Sequence, residues 1–207
     1  MSLKKFSGLI LVVLISILPL VNLLTPGLPI THDGLDHVAR MASFYKSLSE
    51  GVIIPRWAGD LNWGYGHPIL MFLYPLPSYC ASFFHLLGFS FVDSFKLLFA
   101  TSFILSGIFM YLWLKEFLGD KSAVVGASLY LFAPYRFIDL YVRGAIGEHV
   151  AFVFMPLVLY AIYKLNSSLV KDKLRNNYFK VILAGFSFAG LILSHNAISL
   201  LFIPFIV

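Results

Sequence analysis

The segment THDGLDH, residues 31–37, places two carboxylates and two imidazoles directly after the first long apolar run of the chain. Asp33 and His37 are four residues apart, so on a helix they share one face. A carboxylate beside an imidazole suits general-base catalysis or the binding of a divalent metal. We therefore predict Asp33 and His37 as catalytic residues, and we include Asp36 of the same turn as a metal ligand.

The same acids also have a purely structural interpretation. Asp33 lies where an amphipathic helix would begin, and Asp is a preferred N-cap residue. Asp36 would place negative charge in the first turn and could pair with Arg40, four residues later. We favour this structural role for Asp36 and the chemical role for Asp33.

A second polar segment, RGAIGEH, precedes a later apolar run. The guanidinium of Arg143 suits a phosphate group, so we predict Arg143 as a substrate-binding residue. Glu148 and His149 are predicted metal ligands, because an acid beside a histidine suits a metal or a base. In the alternative interpretation, Glu148 only complements the dipole of the helix that begins there.

Three further residues are predicted to contact substrate. Arg56 and Trp57 lie in IIPRWAGDLNWGYGHP, which is rich in glycine and aromatic residues. Its aromatic rings would form either an interfacial belt or a stacking floor for a sugar. His195 interrupts the apolar run LILSHNAISLL. Instead of contacting substrate, it would alternatively be a hydrogen-bonded structural residue.

The composition predicts a polytopic membrane protein. The chain is 59% apolar and 12% charged, with a mean hydropathy of +0.87, whereas soluble domains average about half apolar and about a quarter charged. The net charge of +5 is attributed to membrane orientation, and no nucleic-acid partner is expected. Cys80 is the only cysteine, which excludes an internal disulfide.

A membrane span needs roughly 20 mostly apolar residues. The last residues, SLLFIPFIV, lie within an apolar run, so we expect this single membrane domain to be the N-terminal part of a longer chain. The predicted spans are about 6–24, 95–115, 122–138, 149–164 and 180–197, with a partial span from 198.

The segment 68–87 is apolar enough to cross a membrane but contains Pro68, Pro75 and Pro77. Proline removes a backbone donor and kinks a helix. We therefore predict that this segment is broken and does not cross.

The distribution of basic residues supports that topology. If 68–87 does not cross, the basic segment 164–180 lies on the cytoplasmic side with Lys4 and Lys5, as the positive-inside rule requires. The prediction is then a multi-pass cell-membrane protein with a cytoplasmic N-terminus and an external loop over 25–94. The same external face receives all six histidines and several acids: His32, His37, His67, His85, His149, His195, Asp33, Asp36, Asp139 and Glu148.

THDGLDHVAR after the first span resembles the first external loop of the GT-C superfamily of integral-membrane glycosyltransferases. More narrowly, HDGLDH, PRWAGDLNWGYGHPI, APYR, RGAIGEHVA, MPLVL and LSHN resemble bacterial membrane proteins with a 6-pyruvoyl-tetrahydropterin-synthase-related domain. The resemblance covers most of the chain.

The resemblance implies an all-α polytopic fold with amphipathic external-loop helices. It implies transfer of a sugar from a polyprenyl-phosphate donor to an acceptor hydroxyl on the external face, with a divalent cation, Mg or Mn. The family's loop aspartate is catalytic, which corresponds to Asp33 here. Its second acidic motif corresponds to Glu148, although the family motif is D-x-D-like and this chain has GEH.

Two alternatives to an enzyme remain open. A transporter or flippase of lipid-linked substrates would line its path with Asp33, Glu148 and His195. A non-catalytic polytopic membrane protein would use the acids as helix caps and pair Arg136 and Asp139 along one helix face. The expected partners are a lipid-linked sugar donor and membrane lipids, and the sequence identifies no protein partner.

Overall fold

The chain folds into helices, as predicted. The computed structural model describes residues 7–169 and 178–206, and this part of the chain contains no β-strand. Lys4, Lys5 and residues 170–177 of the basic segment 164–180 lie outside the described residues, so the orientation they imply stays a prediction. The α-helices are α1 Ser7–Ile17, α2 Gly34–Ser49, α3 Ile69–Phe72, α4 Leu76–Leu86, α5 Phe91–Leu118, α6 Asp120–Leu131, α7 Pro134–Phe137, α8 Ile146–Leu169, α9 Tyr178–Ser194 and α10 Asn196–Phe202.

Three described helical segments are long and apolar enough to cross a membrane: Ser7–Leu24, Phe91–Leu118 and Ile146–Ser167. The first combines α1 with the 3-10 helix Leu18–Leu24. These segments coincide with the first, second and fourth predicted spans.

The other predicted spans are interrupted. The third is bent by 49° between Asp120–Leu131 and Pro134–Arg143, where proline cannot continue the helix. The fifth ends at Ser194, and His195 separates it from α10. Including the bent pair, the described residues offer up to four spans.

The segment 68–87 is divided into α3, of four residues, and α4, of 11. Leu73 is extended between them and Pro75 precedes α4. Neither helix has the roughly 20 residues that a span needs. The break follows from the prolines, while the side of the membrane on which the segment lies stays a prediction.

Helix α5 is the centre of the bundle and packs against α1, α4, α6 and α8, while α9 packs against α8. Phe95, Phe99 and Phe103 of α5 are buried in the main core. One long helix thus shields the apolar faces of these four helices, and the polar connections gather where α5 and α8 begin.

Helix α2 is amphipathic, but its buried face differs from the predicted one. The helical spacing of Leu35, Val38 and Met41 predicts these residues as the apolar stripe. Met41 is buried as predicted, whereas Leu35 is 71% exposed. The buried side chains include His37, Met41 and Phe44. The helix is rotated so that an imidazole enters the core while a leucine faces outward. It ends at Ser49, and Gly51 follows with a φ of 89°.

Candidate functional site

The loop that carries Asp33 is bound to the loop that carries Arg143. The amide of His32 donates to the carbonyl of Val142 over 2.9 Å, and the amide of Asp33 donates to the carbonyl of Arg143 over 2.8 Å. Two polar segments that are far apart in sequence are therefore fixed side by side through their backbones.

Small residues make this approach feasible. Gly144 has a φ of 68°, and a Cβ at this position would lie 2.4 Å from the Thr31 hydroxyl oxygen. The same hydroxyl accepts a hydrogen bond of 3.2 Å from the amide of Gly34. Thr31 therefore both packs on Gly144 and satisfies a donor at the start of α2.

Asp33 is at the N-cap position of α2, but its side chain accepts no cap hydrogen bond. None of the ion pairs among the described residues uses its carboxylate either. The structural interpretation of this residue is thus weakened, since the usual reason for an aspartate at an N-cap is absent. Its carboxylate is left available for a ligand.

Arg143, Glu148 and Tyr135 form a hydrogen-bonded cluster. Arg143 Nη1 lies 2.6 Å from Glu148 Oε1. The Tyr135 hydroxyl donates to Glu148 Oε2 over 2.6 Å and accepts a hydrogen bond from Arg143 Nη1. Both contacts of the guanidinium use Nη1, so Nε and Nη2 have no hydrogen-bond partner among the described residues. They remain available for an anionic oxygen.

Tyr74 and His195 form the opposite wall of this cluster. Their ring centroids are 4.8 Å apart, and the ring of Tyr74 packs on Gly147, where a Cβ would lie 2.0 Å from Cε2. Burial, together with the nearby charges of Glu148 and Asp33, raises the pKa of Tyr74 to about 12. Both acids therefore lie close enough to Tyr74 to affect its ionisation.

A cavity of about 420 Å³ opens beside the cluster. Its polar lining comes from Tyr135, Glu148 and His195. The rest of the wall is apolar and is formed by Phe152, Met155, Ala197, Ile198, Leu201, Phe202 and Phe205. The cavity thus combines a polar end with a long apolar wall, which suits an amphiphilic ligand.

His37 shares the first turn of α2 with Asp33 but is only 6% exposed. Burial, and secondarily the charge of Arg40, lowers the pKa of His37 to about 4. The imidazole is therefore neutral near pH 7. The predicted catalytic pair consists of a partly exposed carboxylate and a buried neutral histidine.

His149 is fully buried and lies behind the cluster. Its Nδ1 is 2.9 Å from Asp139 Oδ2, and Asp139 is fully buried as well. Asp139 belongs to a π-helical turn, Ile138–Arg143, that leads to the Arg143 loop. Such turns occur frequently at functional sites. The pair ties this turn to the first turn of α8.

Arg136 is buried beside this pair. Its Nη2 donates to Ser106 over 2.9 Å, and its Cζ lies 4.5 Å and 4.8 Å from the ring centroids of Phe152 and Phe103. Its Nε and Nη1, together with Asp139 Oδ1 and His149 Nε2, are buried without a hydrogen-bond partner.

The predicted metal ligands are not assembled into a metal site. Asp36 is exposed and pairs with Arg40 at 3.2 Å. Glu148 is bonded to Arg143 and Tyr135, and His149 to Asp139. Within residues 7–169 and 178–206, no group of three or more His, Cys, Asp or Glu side chains is arranged to hold a metal. We derive no step through a metal, and the divalent cation stays a prediction.

Arg56 and Trp57 do not join the cluster. They line a second cavity of about 400 Å³ with Lys46 and Asp60. The two cavities share no lining residue. Of the predicted substrate-binding residues, the structure therefore brings together Arg143 and His195 and places Arg56 and Trp57 elsewhere.

Sequence reasoning missed Tyr74 and Tyr135, which contact His195 and Glu148. The chain has 11 tyrosines, so neither residue was distinctive by type. Only the positions of these two tyrosines could have indicated a role. Tyr135 follows a helix-breaking proline in APYR, and Tyr74 lies at the break between α3 and α4.

Comparison with known proteins identifies no family. The sequence matches no family profile, and no solved structure matches it. It is similar to an uncharacterized protein of Lactococcus lactis subsp. cremoris (strain MG1363), with 25% identity over 183 residues. The alignment covers 84% of this chain and 29% of that protein, so the chain spans less than a third of that relative.

Proposed function

We propose that this chain contributes the site of a multi-pass membrane glycosyltransferase of the GT-C type. The enzyme transfers a sugar from a polyprenyl-phosphate donor to an acceptor hydroxyl on the external face of the cell membrane. The observation that carries the proposal is the hydrogen bond between the Asp33 and Arg143 loops. It fixes the loop that carries Asp33 against the loop that carries Arg143. The carboxylate of Asp33 makes no cap hydrogen bond, and Arg143 pairs with Glu148, which lines the cavity with the apolar wall.

Arg143 is proposed to bind the phosphate of the donor. Its Nε and Nη2 present two N–H donors in the planar geometry that matches phosphate oxygens. Glu148 and Tyr135 hold the guanidinium through Nη1 and thereby fix its orientation. Binding of phosphate beside Glu148 brings like charges together, so the donor competes with Glu148 for the guanidinium.

The apolar wall of the 420 Å³ cavity is proposed to hold the first part of the polyprenyl chain. Burying apolar surface contributes about 25 cal/mol per Å². His195 and Tyr74 would contact the sugar at the polar end, since their rings lie against each other there.

Asp33 is proposed to accept the proton of the acceptor hydroxyl. The hydroxyl oxygen then forms a bond to the anomeric carbon, and the bond between that carbon and the phosphate oxygen breaks. The electron pair of the broken bond goes to the phosphate, whose additional negative charge Arg143 stabilises. His37, neutral and buried behind Asp33, is proposed to orient the carboxylate.

Transfer assays on the full-length protein in nanodiscs test this proposal. Polyprenyl-phosphate glucose and polyprenyl-phosphate mannose serve as labelled donors. Arg143→Lys retains the positive charge but loses the planar guanidinium with its paired N–H donors. We expect it to raise the KM for the donor by about tenfold to a hundredfold. Arg40→Lys, whose guanidinium pairs with the exposed Asp36, is the matched control and should leave the KM unchanged. Transfer by Arg143→Lys at the wild-type KM would remove the phosphate-binding role.

The proposed topology has a separate test. Position 90 should be external if α3 and α4 do not cross, and it is exposed in the structure. In a Cys80→Ala background, Ser90→Cys should react with an impermeant maleimide added outside intact cells. Reaction only after the membrane is opened would contradict the external position of residue 90 and indicate that the segment 68–87 crosses.

A transporter or flippase of lipid-linked substrates is the second candidate, and one observation favours it. Arg136 contacts Ser106, which lies near the middle of α5. A buried cation at that depth of a candidate span is a functional candidate by default. Movement of a fluorescent polyprenyl-phosphate lipid across proteoliposomes, lost in Arg136→Met and retained in Asp36→Asn, would favour transport over transfer.

A further inference from the structure

The second cavity lies between the C-terminal half of α2 and the segment that follows it. Its volume of about 400 Å³ falls within the range of about 300–1,000 Å³ found for small-molecule sites. Ser43 and Ser47 of α2 line one side, and Trp57 with Gly59 lines the other. The cavity therefore has the size and concave shape of a ligand site.

The charges around this cavity are balanced. Lys46 and Arg56 are positive, and Glu50 and Asp60 are negative. Lys46 Nζ and Asp60 Oδ1 form an ion pair of 2.7 Å, with both side chains 55% exposed. The lining offers charged hydrogen-bond donors and acceptors without a net charge, so it favours a neutral polar ligand over an anion.

Trp57 provides an aromatic surface beside these groups. The indole packs on Gly66, where a Cβ would lie 2.3 Å from Nε1, and 54% of the residue remains exposed. A glycine at position 66 is thus needed to let the indole lie against the backbone. The ring is held on one side and remains open to a ligand on the other.

The turn that follows is held in an uncommon conformation. Asn62 and Trp63 both have a φ of 56°, which is rare for residues with bulky side chains. The turn is closed by paired bonds of 2.9 Å and 3.0 Å between Ala58 and His67, and Ala58 is buried. Backbone strain of this kind persists where the surroundings enforce it, and it clusters at binding sites. The indole of Trp57 therefore lies in a rigid part of the structure.

We propose that this cavity binds a neutral carbohydrate. The C–H face of a sugar ring stacks on Trp57, its hydroxyls donate to Glu50 and Asp60, and they accept from Lys46 and Arg56. A sugar suits this lining because each hydroxyl is both a donor and an acceptor, while its ring carries an apolar face.

An interfacial aromatic belt does not account for this arrangement. Belt residues need only an amphipathic ring at headgroup depth. They require neither a concave pocket with four charged side chains nor the strained turn at Asn62 and Trp63. An anionic lipid headgroup, in turn, would favour an excess of positive charge, which this cavity lacks.

Binding is tested on the full-length protein in nanodiscs. The chain described here has three tryptophans, so Trp63→Phe with Trp113→Phe leaves Trp57 as its only indole. The probes are neutral oligosaccharides of glucose, galactose, mannose, rhamnose and N-acetylglucosamine, with oligogalacturonate and phosphatidylglycerol vesicles as anionic comparisons. Saturation-transfer NMR on the wild-type protein and on variants in the second cavity follows binding independently of tryptophan emission. We expect at least one neutral oligosaccharide to bind saturably and to change the Trp57 emission.

Two variants locate the site. Trp57→Ala should abolish binding, and Asp60→Asn should weaken it about tenfold by removing one charged acceptor. Asp60→Asn also keeps the test valid if Trp57→Ala does not fold, because an exposed ion pair contributes little to stability. Trp113→Phe, in α5 and outside the cavity, is the control and should bind as the wild type does.

Three results would overturn the proposal: no saturable binding of any neutral probe, unchanged binding in the folded Asp60→Asn variant, or a Trp57 response to anionic vesicles alone. The proposal does not depend on the transfer reaction at Asp33. Sugar binding without transfer activity would support the carbohydrate site and contradict the proposed reaction. Transfer activity without sugar binding in this cavity would support the reaction and contradict the carbohydrate site.

Discussion

The amide of Asp33 donates a hydrogen bond of 2.8 Å to the carbonyl oxygen of Arg143. This contact positions the start of α2 against the end of the π-helical turn Ile138–Arg143. It uses only backbone atoms, so the side chains of both residues remain available for other contacts. Substitutions at either residue can therefore separate chemistry from folding.

Asp33→Asn should abolish activity without unfolding the protein. The side chain makes no cap hydrogen bond, so its charge is not needed for the start of α2. Loss of a positioned general base should reduce transfer by a factor of about 10² or more. Transfer rates and thermal unfolding of the same preparation provide the measurement.

Asp36→Asn is the control for this substitution. It lies in the same turn and loses only an exposed pair with Arg40, which contributes roughly 0–1 kcal/mol. It should leave both transfer and unfolding nearly unchanged. Equal and mild effects of the two substitutions would mean that THDGLDH only begins a helix.

Asp139→Ala should destabilise the bundle. Asp139 is fully buried, and its Oδ2 lies 2.9 Å from Nδ1 of His149, which is fully buried as well. Alanine offers no polar atom, so this nitrogen loses its hydrogen-bond partner at a cost of about 1–3 kcal/mol. Chemical unfolding in detergent micelles, followed by circular dichroism, measures the loss.

The double variant Asp139→Ala with His149→Phe tests the cause. Removing the imidazole as well should recover part of the lost stability, because the nitrogen that lost its partner is then absent too. Strictly additive losses would show that the two residues do not compensate each other.

Acid should destabilise the protein through His37. Its pKa is about 4 in the folded protein and 6.5 in the unfolded chain, so the unfolded state binds the proton more tightly. The stabilising contribution is complete above pH 6.5 and decreases as the pH falls towards 4. Its full size is about 3 kcal/mol, from 1.36 kcal/mol per pKa unit.

His37→Gln removes this titration and serves as the comparison. The difference in melting temperature between wild type and His37→Gln should change between pH 7 and pH 4. A constant difference over that range would contradict a buried neutral histidine.

Gly147→Ala should disturb the wall formed by Tyr74 and His195. The new Cβ would lie 2.0 Å from Tyr74 Cε2, so the ring must move. We expect a loss of about 1–3 kcal/mol, typical of overpacking, and a reduced transfer rate. Thermal unfolding and transfer assays measure the two effects.

Gly185→Ala is the matched control, since no atom lies within 4 Å of its Cβ position in α9. Alanine in a helix interior is favoured over glycine by about 0.5–1 kcal/mol. This variant should be slightly more stable and fully active. A destabilisation equal to that of Gly147→Ala would argue against a specific clash with Tyr74.

The sequence by itself determined the helical class and the approximate positions of three long helical segments. Long apolar runs predicted spans at about 6–24, 95–115 and 149–164, which correspond to Ser7–Leu24, Phe91–Leu118 and Ile146–Ser167, because the period and length of such runs are local properties. Prolines predicted the break within 68–87, since a missing backbone donor acts locally as well. The position of Asp33 at the start of α2 was predictable for the same reason.

Only the tertiary structure decided which of the polar residues meet. Asp33 and Arg143 are joined, Asp139 pairs with His149, and Arg56 is placed in another cavity. The face of α2 that is buried also depended on its neighbours, so His37 entered the core while Leu35 did not. Hydrophobic periodicity indicates that a segment is helical, but the element that packs against each face of the helix is distant in sequence. The packing of the whole bundle decides which elements meet, and a local sequence pattern carries no information about it.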